Sequence, residues 1–188
     1  MNIEGKQKER TATRISLAFL LVAMLIPIPA GARERHEADL RTQLAEVRQA
    51  TAQFQRVEAA EAAGYELGYV NGDGVRIITG CIAHPTDGAM GYHYFNKDLV
   101  DDLTVDPLKP EGLVYAPTPS GELKLVSVEY VVPGANSNPP GVSEPPNVLG
   151  MDMHILVPAV GFYILHAWIW HRNPSGMFSD WNPRVTCP

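Results

Sequence analysis

Between residues 33 and 63 the apolar positions Leu40, Leu44, Val47, Phe54 and Val57 return at intervals of three, four and seven, and charged or polar side chains fill the gaps. That period is an α-helix with a single apolar stripe. The segment contains neither Pro nor Gly and is rich in Ala, Glu, Gln, Arg and Leu, all strong helix formers. The spacing therefore predicts one amphipathic helix over 33–63, stopped by Gly64 at a position suited to the left-handed backbone.

After Gly64 the pattern changes to short β-rich runs punctuated by Gly, Pro, Asn and Asp. Strands are predicted near 75–78, 91–95, 112–115, 123–132, 153–157 and 162–170. "PTPSGE" (117–122) is the expected turn between the third and fourth of these, and "NGDG" (71–74) a tight hairpin turn. Residues 132–150 are dense in Pro, Gly and Asn without any hydrophobic period, which predicts a long irregular loop. The expectation is an α+β fold: a long N-terminal amphipathic helix packed on a curved antiparallel sheet or a small β-barrel, in one domain over 33–188. Within it, 33–63 is helix and 64–188 is β-rich.

The chain before this domain reads differently. Lys6, Lys8, Arg10 and Arg14 precede an apolar run over 15–28, and Ala30, Gly31 and Ala32 follow it. A basic region, an apolar region and small residues at a cleavage point predict a signal peptide over 1–32. Pro27 and Pro29 end the run short of the ~20 residues that a membrane span requires. The mature protein is thus expected to be exported, to the periplasm or the extracellular space, with no stable membrane span.

Loss of that segment would lower Lys plus Arg from 15 to 11 and Asp plus Glu from 21 to 19, taking the formal charge from −6 to −8. An acidic domain of this kind is not expected to bind nucleic acid, which needs a basic face. Export also bears on the cysteines. Only Cys81 and Cys187 occur, so one disulfide joining them is expected in an oxidising compartment.

Side-chain parity along the strands suggests where chemistry sits. Leu125, Ser127, Glu129 and Val131 should share one face of their strand, with Val126, Val128 and Tyr130 on the other. His166 shares a face with Ile164 and Trp168, His93 with Phe95, and His154 with Asp152 and Leu156. If these faces point inward, His93, Glu129, His154 and His166 form a histidine-centred site for copper, zinc or iron, with Glu129 as a ligand or general base. Met90, Met151 and Met153 lie near His93 or His154 in sequence, and thioether beside imidazole favours copper. Hydrogen-bonded core histidines, one of them paired with Glu129, are the plainer outcome of the same pattern. His84, in "CIAHPTDG", is read as part of a turn.

The alternative function class is a non-catalytic binding module. Tyr92, Phe95, Tyr115, Tyr130, Phe162 and Trp168 are among the aromatics that would line a pocket for a small apolar or planar ligand. A domain that docks a partner protein is a third class. No G-x-S-x-G elbow, P-loop, G-x-G-x-x-G or CxxCH motif is present, so serine hydrolysis, nucleotide binding and covalent haem have no local support.

The segments "AEAAGY", "GAMGYHYFN", "PEGLVYAP", "LVSVEYVVP" and "LHAWIWHRNPSGMFSDWNPRVTC" resemble those of a group of exported bacterial proteins of uncharacterised function. The resemblance implies export and a single domain, and it carries no catalytic residue with it.

Overall fold

The computed structural model describes residues 30–188, with side chains from residue 34 onward. The expected signal peptide lies outside the described residues except for its last three positions, which begin helix α1 (Ala30–Thr51). The predicted helix is interrupted. A 3₁₀ turn (Ala52–Gln55) follows α1, Arg56 is extended, and helix α2 (Val57–Ala62) resumes the path. The cause is tertiary. The Tyr115 hydroxyl donates to the Phe54 carbonyl at 2.7 Å, and Trp170 Nε1 donates to Thr51 Oγ1 at 3.2 Å. These bonds anchor the break to the sheet. α2 ends where expected, with Gly64 at φ 89° and its N–H on the Glu61 carbonyl.

Eleven strands follow. They are β1 (Tyr65–Leu67), β2 (Tyr69–Val70), β3 (Arg76–Ile77), β4 (Ile82–His84), β5 (Gly88–Asn96), β6 (Gly112–Pro117), β7 (Leu123–Pro133), β8 (Asn147–Val148), β9 (Met151–Asp152), β10 (His154–Ile155) and β11 (Phe162–Ala167). A short helix α3 (Lys97–Asp101) separates β5 from β6. The main sheet runs β1-β5-β6-β7-β11-β10, with β4 also paired to β5, and every pairing is antiparallel. Its outer strands β1 and β10 do not pair with each other, so among the described residues the sheet is open and the barrel alternative is set aside. The "NGDG" turn joins β2 to β3, and the 117–122 turn joins β6 to β7.

The two faces of the sheet are covered by different material. Tyr94, Leu113, Tyr115, Val128, Tyr130 and Leu165 pack against the helices through Val47 and Ala60, with Leu44, Phe54 and Val57 at the edge. The predicted stripe is the packed one. On the opposite face Phe95, Val131, Phe162 and Ile164 meet Tyr69 and Val100, while Val114, Val126 and Trp168 meet Val185. Strand parity fails within β7. The register slips between Val114 and Tyr115, so Ser127 pairs with Val114 and Leu125 with Tyr115, leaving Val126 as the extra residue of a bulge. Leu125 consequently joins the helix-side core and Val126 the opposite one.

The irregular C-terminal tail lies over that second face. Ala89 and Asn182 exchange backbone hydrogen bonds, Trp168 Nε1 donates to the Ser179 carbonyl, and Cys81 and Cys187 form the expected disulfide with Cα atoms 5.7 Å apart. The disulfide is consistent with an oxidising, exported environment. Among the described residues no helix is long and apolar enough to cross a membrane.

Candidate metal centre

His93, Glu129 and His166 come from β5, β7 and β11, and all are buried on the face opposite the helices. Glu129 and His166 are direct cross-strand partners. His93 is two strands away from Glu129, a backbone separation of roughly 10 Å. The strand between them contributes Gly112, which pairs with Glu129 on one side and Phe95 on the other. With no side chain there, the Glu129 carboxylate extends across β6 to within 3.6 Å of His93 (Oε2 to Nε2). Its other oxygen is 3.6 Å from His166 Nε2. One ligand atom from each residue lies within 4.8 Å of the others.

These separations are too long for hydrogen bonds. His93 Nδ1, Glu129 Oε2 and both ring nitrogens of His166 are buried without a hydrogen-bond partner. Buried polar atoms in such numbers are costly unless something else binds them. Each imidazole stands from its own carboxylate oxygen at the separation of two neighbouring metal ligands, and the three side chains together could hold an ion. A tetrahedral ion bound at ~2.0–2.2 Å holds neighbouring ligand atoms roughly 3.3–3.6 Å apart.

The electrostatics point the same way. Burial pushes the His93 imidazole down to about 3, with His166 acting in the same direction and the Gly91 backbone against both. His93 is therefore neutral at physiological pH and offers a lone pair. Burial pushes the Glu129 carboxyl up to about 7; His166 opposes this and Asp180 adds to it. A carboxyl poised there ionises readily when a cation arrives.

Asp180 was not among the expected residues. Its Oδ1 is 3.6 Å from His166 Nδ1 and its Oδ2 is 3.1 Å from His154 Nε2. Burial alone would raise this carboxyl, but His166 and His154 outweigh it and hold Asp180 below the ordinary range. A carboxylate behind an imidazole fixes the ring orientation of a metal-binding histidine. No signal in "MFSDWNP" marks Asp180 for this role, because only the folded tail brings it to β11.

Of the four expected ligands, three are gathered together. His154 is placed at the edge of the sheet, opposite Ile164 in β10, with its side chain 44% exposed, and it reaches the cluster through Asp180. The methionines also separate. Met90 is buried in a cavity wall, Met153 belongs to the helix-side core, and Met151 is exposed.

That cavity, of about 330 Å³, opens beside the cluster, with His93 and Glu129 in its wall. Half of the lining residues are aliphatic, including Ile78, Leu156 and Ile164, and the apolar aromatics in it are Phe95, Phe162 and Trp181. The tyrosines expected around a pocket, Tyr115 and Tyr130 among them, pack under the helices instead. His84, expected in a turn, occupies the end of β4; its ring meets Trp181 at 5.2 Å and it contributes to the cavity wall. No protein-family model matches this chain, and no curated protein or solved structure matches it.

Proposed function

We propose that this is an exported metal-binding protein whose centre is built from His93, Glu129 and His166. The observation that carries the proposal is the convergence of three buried side chains that each offer a ligand atom within 4.8 Å of the others and each hold a polar atom without a hydrogen-bond partner. Two imidazoles and one carboxylate suit zinc or iron(II), the donor sets of catalytic zinc sites and of non-haem iron sites. Copper is less favoured, since both cysteines are in the disulfide and of Met90, Met151 and Met153 only Met90 faces the cavity. Three protein ligands leave at least one coordination position for water or a ligand. That is the arrangement of a working centre rather than a structural one.

Export to the periplasm or extracellular space accords with the disulfide and with the basic, apolar and small-residue pattern of the N-terminus. The test is elemental analysis of the mature protein, purified without a metal-affinity tag, beside His93→Ala and His166→Ala. Near-stoichiometric metal in the wild type and its loss in both folded variants is expected. Equal metal content in all three, or none after incubation with zinc, iron(II) and copper, would sink the proposal.

A further inference from the structure

The cavity beside the centre has a volume of about 330 Å³, roughly twice the ~150 Å³ apolar cavity that accepts a benzene molecule. Ile78, Val131, Leu156, Phe162 and Ile164 form its body. The ionisable groups in its wall are His84, His93 and Glu129. His84 is exposed and lies 3.3 Å from Asp87, whereas His93 and Glu129 are buried and lie 3.6 Å apart. No lysine or arginine reaches the lining, so a ligand carrying a separate ionic group would be desolvated without a partner. Polar groups in an otherwise apolar pocket fix orientation, and here the buried ones are gathered at one place, His93 and Glu129.

From this asymmetry we infer that the ligand of the centre is a small apolar molecule with a single donor atom, seated with its hydrocarbon body in the cavity and its donor on the metal. The inference rests on the metal reading above. The size corresponds to a compact body of about ten to fourteen non-hydrogen atoms, such as a fused or substituted ring. Entry is past Val157, which lines the cavity and is 50% exposed.

The experiment uses the mature protein loaded with cobalt(II), whose visible absorption reports changes in its coordination. It is titrated with 4-phenylimidazole and with imidazole, which has the same donor without the apolar body. The expected result is a cobalt spectral change with both, and binding of 4-phenylimidazole at least about tenfold tighter, from its buried hydrocarbon surface. Val157→Trp should remove most of that advantage, with cobalt content measured to confirm an intact centre.

Cobalt uptake with equal affinities for the two probes would overturn the inference and leave the metal centre standing. So would tight binding of 4-phenylimidazole without a spectral change, or an advantage untouched by Val157→Trp, since either places the ligand elsewhere. Failure to take up cobalt at all would remove the metal centre and this inference with it.

Discussion

His93 Nε2 and Glu129 Oε2 lie 3.6 Å apart although their strands are not neighbours, and they meet above Gly112 on the strand between. A Cβ at Gly112 would stand 3.1 Å from the Glu129 Cβ and 3.2 Å from the Phe95 ring. The glycine is thus what allows a carboxylate and an imidazole from alternate strands to approach each other. Gly112→Val is expected to weaken metal binding by at least about tenfold and to cost roughly 1–3 kcal/mol of stability through overpacking. Metal titration and denaturant unfolding on the same preparation check both. Unchanged affinity would mean that the carboxylate does not need this path.

Asp180 predicts a graded effect. Because it faces His166 Nδ1, the ring nitrogen turned away from Glu129, Asp180→Asn should reduce metal affinity by about 10- to 100-fold without abolishing binding. His154→Ala removes only the outermost, half-exposed member of the chain and should cost less than Asp180→Asn. Competition titrations with a chromophoric chelator resolve the order, and a larger loss from His154→Ala would make His154 a ligand in its own right.

Metal affinity should depend on pH through Glu129. Its carboxyl titrates at about 7 in the metal-free protein, so below that pH an incoming ion must displace a proton. Affinity is expected to fall by up to about tenfold per pH unit on acidification from 7 to 5, and to level off above 7 as far as Glu129 is concerned. A flat profile across that window would contradict the assigned protonation state.

A second buried carboxyl affects the stability of the metal-free fold. Glu111 accepts a hydrogen bond from the Val131 N–H at 3.0 Å, and burial raises its carboxyl to about 8 against that bond. A folded-state value above the ordinary 4.5 means that the native state holds the proton more tightly than the unfolded chain. The resulting stabilisation is complete below pH 4.5 and is lost as pH rises through about 8. Glu111→Gln keeps an acceptor for Val131 and cannot ionise. Its melting temperature relative to the wild type should therefore rise between pH 5 and about pH 8 and level off above it, and parallel curves would refute the assignment.

The disulfide couples the tail to the site. It closes a loop with a sequence separation of 106, and its removal by Cys81→Ser with Cys187→Ser should cost ~2–5 kcal/mol. The same variant should bind metal more weakly than the wild type, because the segment that carries Asp180 and Trp181 loses its covalent anchor. Calorimetry and metal titration test the two effects separately.

The sequence by itself determined the local parts of this protein. The helical stripe from Leu40 to Val57, the stop at Gly64, the turns at 71–74 and 117–122 and the central strands follow from period and turn chemistry, which depend on near neighbours in the chain. The cysteine pair followed from there being only two. Parity also placed His93, Glu129 and His166 on side-chain faces that the fold brings together.

Only the tertiary structure decided which residues meet. The bulge at Val126 reversed the expected sides of Leu125 and Val126, and bonds from Tyr115 and Trp170 anchored the helix where it breaks, between Thr51 and Arg56. Strand order put Gly112 between His93 and Glu129, left His154 at an edge, and drew Asp180 in from an irregular tail. Periodicity tells which way a side chain points within its own element. The distance between two such side chains depends on which strands pair and in what register, a property of long-range contacts that no single stretch of sequence contains.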